Sequence, residues 1–210
     1  MKQLLFLLLV VTSVDVATAQ THEACYPGLS KTLDSLAYAD QRPMQEIMRR
    51  GQMPDSTMQR LVAEEKATFA RHQPILEAIL CRYCYPGFRQ VGEQSATNFW
   101  LLVQHADAYP EFQNQVLHMM LVQVAIKNAN PVNYAYLTDR VAENSGRPQE
   151  YGTQVKYEGA GIGRANPKSL RDPANVNKRR ATIGMESLES YLDKANKAHE
   201  EMNKPHPVTN

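Results

Sequence analysis

Apolar residues in the first half of the chain recur at helical spacing. Leu29, Leu33, Leu36, Ala37, Ile47 and Met48 fall close to the i, i+3, i+4 positions of one face, which predicts a helix from Leu29 to Arg50, bent near Pro43 and stopped by Gly51. Pro54-Asp55 starts a second pattern through Met58, Leu61, Val62 and Phe69. Pro74 then restarts a turn that carries Ile75, Leu76, Ile79 and Leu80 to Cys81, and Tyr85-Pro86-Gly87 ends it. Ser95 is the expected cap of a third helix, FWLLVQHA, and Glu111 to Asn128 reads as a fourth, apolar nearly all round as a buried helix should be. Asn130-Pro131 opens a fifth by placing proline at the first helical position, with Tyr134, Leu137 and Val141 as its apolar stripe.

The pattern changes after Gly146. RPQEYGTQVKYEGAGIGRANPKSLRDP holds four glycines and three prolines, with a brief alternation at Thr153, Val155 and Tyr157, which predicts a short strand pair or an ordered loop near residues 149–165. Asp172-Pro173 restarts helix, and Ser187 to Asn203 is a last amphipathic helix ahead of a loose tail over 204–210. No repeat of solenoid length is visible. The expected fold is mostly α: a single-domain helical bundle of about six to seven helices over residues 20–203, with one irregular or hairpin segment.

The first 19 residues carry a different signal. Lys2, the apolar run Leu4 to Val11, and Ala17 and Ala19 at the minus-three and minus-one places form the pattern of a secretory signal peptide, cleaved before Gln20. No later stretch approaches the ~20 apolar residues that a membrane helix needs, so no span is expected after cleavage. Lys+Arg 23 against Asp+Glu 22 gives a formal charge of +1, without the basic footprint of a nucleic-acid binder. The expected location is exported, periplasmic or secreted. In such a compartment Cys25, Cys81 and Cys84 read as a structural bridge or packed thiols, with one left over; Cys81 and Cys84 end a helix and do not follow a strand, which disfavours a thioredoxin-like role.

Candidate chemistry concentrates in the polar residues of apolar helices. In Gln104-His105-Ala106-Asp107, helical rotation would put Gln104 and Asp107 within about 40° of Trp100 and His105 roughly 160° from Asp107. The two chelate one ion only if the helix ends at His105, an end that Tyr109-Pro110 favours. Gln113 lies in the first turn of the fourth helix, Gln123 on its apolar side needs partners, and His118 is solvated. Adjacent Asp139 and Arg140 diverge by about 100° and must pair with other elements. Gln149, Tyr151, Thr153 and Gln154 offer hydroxyls and amides but no metal-grade cluster, so a general acid or base would be His105, Asp107 or Asp139. The EGAGIGR glycines lack the strand and helix of a phosphate-cradling loop, and no familiar hydrolase or metalloprotease motif is present. No metal and no cofactor are expected.

VGEQSATNFWLLVQHAD, EFQNQVL, YAYLTDRV, GRPQEYGTQ and DPANVNKRRATIG, in this order, resemble an uncharacterised bacterial domain-of-unknown-function family, over about Leu33 to Tyr191. ADQRP (39–43) and YPGFRQVG (85–92) are similar to its D-Q-x-x-R neighbourhood and G-x-P-x-x-x-x-V-G loop, with Cys84 where that loop usually has glycine. The resemblance implies retained polar residues at Gln104, His105, Asp107, Gln113, Asp139, Arg140, Gln149, Tyr151, Gly152, Thr153, Gln154, Arg179 and Arg180. Arg179 and Arg180 would supply a cationic wall or pair with Asp107 and Asp139.

Three readings follow. The first is an exported enzyme that hydrolyses or transfers groups on a small or cell-envelope substrate. In it His105 is the acid or base, Asp107 or Asp139 orients it, Arg140 or Arg179 stabilises charge, and Gln149 to Gln154 line the pocket with Gln104, Gln113 and Arg180. The second is a binding module for a small-molecule or cell-envelope ligand. The third is a structural domain whose polar residues form a buried network.

Overall fold

The computed structural model describes residues 25–50, 53–159 and 162–203. The leader read over 1–19 and its cleavage site, the stop at Gly51, Gly161 and the tail over 204–210 lie outside the described residues. The fold is mostly α, with seven α-helices and one two-stranded antiparallel sheet among those residues. The described residues separate into two compact units, one up to Leu137 and one from Thr138 onward.

In the first unit, α1 (Pro27–Arg50) packs against α2 (Asp55–Tyr83) and α3 (Phe88–Gln104). Its buried stripe is Leu29, Leu33, Ala37 and Asp40, a run of helical spacing that ends on a carboxylate. Pro43 lies inside this helix and Pro74 inside α2. The expected restart at Pro74 is therefore an unbroken helix: Leu61, Thr68, His72, Leu76 and Ile79 are buried on both sides of the proline, and their packing offsets the lost rung. α3 begins earlier than Ser95. A short turn from Phe88 is joined to the main helix across Gly92, at φ 80° and ψ 165°, and Ser95 is an interior residue whose hydroxyl donates to Asp34 Oδ1 at 2.8 Å.

α4 (Pro110–Ala125) departs from its expected burial. Only Phe112, Gln113, Val116 and Met120 are buried, the stripe that a single packed face permits, while Leu121, Val122 and Ile126 stay exposed. α5 (Pro131–Asn144) starts as expected, with Asn130 Oδ1 accepting from the Val132 N–H at 2.8 Å. Its first half belongs to this unit and its second half to the next.

The turn between α2 and α3 is built around Asn128. Its side-chain Oδ1 accepts from the Arg89 N–H at 2.8 Å, its Nδ2 donates to Gln90 Oε1 at 3.0 Å and Gln123 Oε1 at 2.7 Å, and its carbonyl accepts from the Phe88 N–H at 3.0 Å. Gln123 thereby gains the partner its apolar side demands. Cys84, at φ 57°, takes the left-handed conformation where the resembled loop has glycine, so the turn survives the exchange at the cost of backbone strain.

The second unit holds β1 (Val155–Glu158) and β2 (Arg164–Pro167), paired from Val155↔Pro167 to Glu158↔Arg164, followed by a 3₁₀ turn at Pro173–Asn175, α6 (Val176–Thr182) and α7 (Leu188–Met202). The hairpin meets the expectation for the irregular segment. Ser187 caps α7 by accepting from the Ser190 N–H, and Asn196 Oδ1 on α7 accepts from the Ala165 N–H of β2 at 2.7 Å.

A β-carbon at Gly87 would lie 2.3 Å from both the backbone oxygen and Nδ2 of Asn128. The backbone oxygen cannot swing away, so Gly87→Ala should lower the unfolding free energy by about 2 to 4 kcal/mol in reversible denaturant titration. Gly92→Ala, where the β-carbon meets nothing but φ 80° and ψ 165° form a backbone conformation that essentially only glycine adopts, should also destabilise, by about 1 to 3 kcal/mol.

Candidate functional site

α3 ends at Gln104 and His105 is its C-cap, at φ −88° and ψ −2°. The chain turns there through Ala106 to Tyr109 and restarts at Pro110, the early end that Tyr109-Pro110 favours. This stop releases the His105 ring toward α1, where His105 Nδ1 lies 2.7 Å from Asp40 Oδ2. Asp40 is 2% exposed, whereas the His105 side chain is 17% exposed. The carboxylate on His105 is thus Asp40, and not Asp107 or Asp139 as the sequence reading had it.

α2 completes the surroundings. Phe69 stacks on the His105 ring with centroids 5.1 Å apart, and His72 Nδ1 lies 3.9 Å from the other Asp40 oxygen, Oδ1. Glu65, one turn before Phe69, is half-buried. Burial raises its carboxyl pKa; the charge of His105 opposes this, Asp40 adds to it and Lys66 opposes it. Burial likewise lowers the His72 pKa, against the pull of Asp40 and with the help of Arg71. Asp40 also accepts from Gln41 Nε2 at 2.8 Å on Oδ2.

The other residues of QHAD support this corner. Gln113, fully buried, donates from Nε2 to the Val103 carbonyl at 3.1 Å and to Asp107 Oδ1 at 3.1 Å, tying the α3 end to α4. Asp107 therefore turns back, as a helix ending at His105 allows, but toward Gln113. Gln104 is fully buried and its carbonyl accepts from the same Gln113 amide at 3.4 Å.

The remaining candidates meet in the second unit. Asp139, 0% exposed, accepts from the N–H groups of Glu150 (2.8 Å), Tyr151 (3.1 Å) and Thr153 (2.8 Å) and from the Thr153 hydroxyl (3.0 Å). Burial raises its carboxyl pKa, and these four donors pull it back. Gln149 and Gln154 clasp each other: Gln149 Nε2 donates to the Gln154 carbonyl at 2.8 Å, and the Gln154 N–H donates to Gln149 Oε1 at 2.7 Å. Arg179 donates to the Glu150 carbonyl at 2.7 Å and faces the carboxylates of Glu150 and Asp172 at 3.6 and 3.8 Å. Arg180, 1% exposed, donates to the Tyr151 and Glu186 carbonyls at 2.7 Å each and lies over the Tyr191 ring. Arg140 is buried beside Asp139 on α5. The Asp139 oxygens, the Gln149–Gln154 clasp and one bond each from Arg179 and Arg180 hold the 149–154 segment, which is the work of a brace.

With both clusters described, the order of the strings acquires a structural meaning, and a family model matches the chain over residues 27–202. The chain belongs to DUF6624, a family of unknown function. No curated protein and no solved structure matches it. Membership agrees with the resemblance carried by QHAD, YLTDRV, GRPQEYGTQ and DPANVNKRR. In this DUF6624 chain the first of these strings shares a site with ADQRP, and the other three build the brace.

Asp40, Glu65 and His72 were missed as site residues. Asp40 had a readable signal, because it continues the apolar stripe of Leu29, Leu33 and Ala37 as a charged residue. Glu65 and His72 lie on the α2 face that Leu61, Leu76 and Ile79 bury, another polar break in an apolar line. Cys25, Cys81 and Cys84 are unbridged and exposed, so neither a bridge nor packed thiols is present; Cys81 and Cys84 sit at the solvent-facing end of α2. Among the described residues no group of three or more His, Cys, Asp or Glu side chains is arranged to hold a metal ion, and no helix is long and apolar enough to cross a membrane.

Asp139→Asn replaces one acceptor oxygen by a donor facing N–H groups, and should lower the unfolding free energy by about 2 to 4 kcal/mol in denaturant titration. A second expectation concerns pH. The folded His72 pKa lies below its unfolded value, so its contribution to stability is full above pH 6.5, the ordinary histidine value, and falls as pH drops through the folded pKa. The wild-type advantage over His72→Phe should therefore shrink below that pH in thermal melts taken across the acid range.

Proposed function

We propose that this protein is an exported enzyme that hydrolyses or transfers groups on a small or cell-envelope substrate by general acid–base chemistry, with His105 as the base and Asp40 as its orienting carboxylate. The observation that carries this reading is the 2.7 Å contact between a buried carboxylate and the Nδ1 of a partly exposed histidine at a helix end. A carboxylate only accepts, so the bond places the imidazole proton on Nδ1 and leaves Nε2 with a lone pair. Asp40 then stabilises the imidazolium formed when Nε2 takes a proton from water or a substrate hydroxyl. Glu65 adds a second titratable group whose carboxyl the charges of His105 and Asp40 both reach, and burial lets it keep its proton to higher pH than an ordinary glutamate. Export is supported by the leader pattern over 1–19.

A non-catalytic reading is favoured by one specific observation, the brace around Asp139, whose groups are occupied by the protein's own backbone. It accounts for Asp139, Gln149, Tyr151, Thr153, Gln154, Arg179 and Arg180 as structural residues. It leaves the exposed side of His105 without a task.

The test is turnover by protein recovered from the exported fraction, where the intact mass should place the first residue at Gln20. Chromogenic esters, phosphoesters and glycosides and a soluble cell-wall digest form the substrate panel. At least one should be turned over, with His105→Gln and Asp40→Asn each lowering kcat/KM by about a hundredfold or more. Turnover of none, or turnover unchanged in His105→Gln, would overturn the proposal.

A further inference from the structure

Asp40 is flanked by two histidines, and only one of them is bonded to it. Oδ2 accepts from His105 Nδ1 and from Gln41 Nε2, while Oδ1 has no hydrogen-bond partner among the described residues. His72 Nδ1 is equally without a partner, and the two orphans lie 3.9 Å apart. Both are almost fully buried, at 1% and 8% side-chain exposure. An unpaired acceptor and an unpaired ring nitrogen facing each other out of water each carry a desolvation cost that one hydrogen bond relieves. The gap is about 1 Å beyond hydrogen-bond range, the scale of a small ring rotation, or it admits a bridging contact.

We infer that His72 is a positioning residue that donates from Nδ1 to Asp40 Oδ1 and thereby sets the proton affinity of His105 through their shared carboxylate. The inference rests on the reading of His105 as the base and adds what tunes it. Three elements present charge to this carboxylate: α1 carries Asp40 itself, α2 carries Glu65, Lys66, Arg71 and His72, and the end of α3 carries His105. Burial disfavours the charged form of His72, and the neutral ring holds a single proton that the facing carboxylate draws to Nδ1. A neutral donor on Oδ1 takes up part of the anion's charge and leaves less of it for the His105 imidazolium. His72 thus weakens His105 as a base.

Nitrogen-15 NMR of the histidine rings tests this on the whole protein, with signals assigned by single-histidine variants. Both His72 and His105 should show the proton on Nδ1. His72→Phe, which removes the donor, should raise the His105 pKa by about half a unit or more. His72→Asn places an amide donor near the former Nδ1 and should return the His105 pKa to within about 0.2 units of wild type. A His105 pKa unmoved in His72→Phe, or a His72 proton on Nε2, would overturn the inference. Should the phenylalanine variant fail to fold, the wild-type tautomer decides it, because a His72 proton on Nε2 leaves Asp40 Oδ1 without that donor. Ring titration needs no substrate, so this result separates from the activity test: turnover with an unmoved His105 pKa sinks the role of His72 alone, and a shifted pKa without turnover sinks the enzyme reading alone.

Discussion

A carboxylate taken out of water must be met by donors, and the two that are buried among the described residues, Asp139 and Asp40, reach opposite solutions. Asp139 is met in full: three backbone N–H groups and a hydroxyl converge on its two oxygens, and the segment that supplies them is folded around it. Asp40 is met on one oxygen only, and the donors there include the imidazole of a partly exposed histidine. A fully satisfied buried anion has nothing left to offer a ligand and acts as an organising centre for the backbone. A partly satisfied one keeps a reserve of field that strengthens whatever base it touches. The difference between the two clusters follows from this count of donors, before any substrate is considered.

The contact between His105 and Asp40 depends on where one helix stops. Inside an intact α3 the ring would be fixed on the face away from Asp107 and held against its own helix. As the C-cap it is freed to meet α1, while the backbone N–H groups of His105 and Ala106 still close the last turn onto Leu101 and Val103. Gln113 then fixes the exit by donating to the Val103 carbonyl and to Asp107, so the turn is held from α4. Gln104 and Asp107 flank the histidine in sequence, yet they act on the turn and leave the ring to Asp40. Proximity in a motif did not translate into contact, because the motif spans a helix end where the direction of successive side chains no longer follows a single axis.

The helices, their order and the hairpin were legible from period and turn chemistry, since Asn130-Pro131, Ser187 and the glycine- and proline-rich run each act locally. Long-range choices were less so. Pro74 suggested a break because the local rule counts one lost hydrogen bond, whereas the buried face of α2 runs through it. The apolar circumference of α4 suggested full burial, although the helix packs only one stripe, and hydropathy alone cannot say how many neighbours a helix has. His105 was legible as a candidate from its position in an apolar helix, and its carboxylate was not, since 65 residues separate the two in sequence. Asp40 could have been found by treating a charged residue on the Leu29, Leu33, Ala37 line as an anomaly that demands a donor. The same test applied to α2 picks out Glu65 and His72, so the rule that recovers the site is to ask which polar side chains sit where the period calls for leucine.

The ordered strings of this DUF6624 chain therefore do not describe one site. ADQRP and QHAD meet across α1 and α3, and what they share is an exchangeable proton on an imidazole. YLTDRV, GRPQEYGTQ and DPANVNKRR meet around Asp139, where Arg179 and Arg180 spend their donors on the carbonyls of Glu150, Tyr151, Asp172 and Glu186. An arginine that ties carbonyls satisfies the acceptors of an irregular segment lacking a full ladder of its own, which is why such residues gather where the hairpin leaves its strands. Reading all of the polar residues as a single pocket overestimates the chemistry by the size of this brace. Once it is set aside, two histidines, one glutamate and one incompletely bonded aspartate remain on α1, α2 and the end of α3, a smaller but better-defined set of groups.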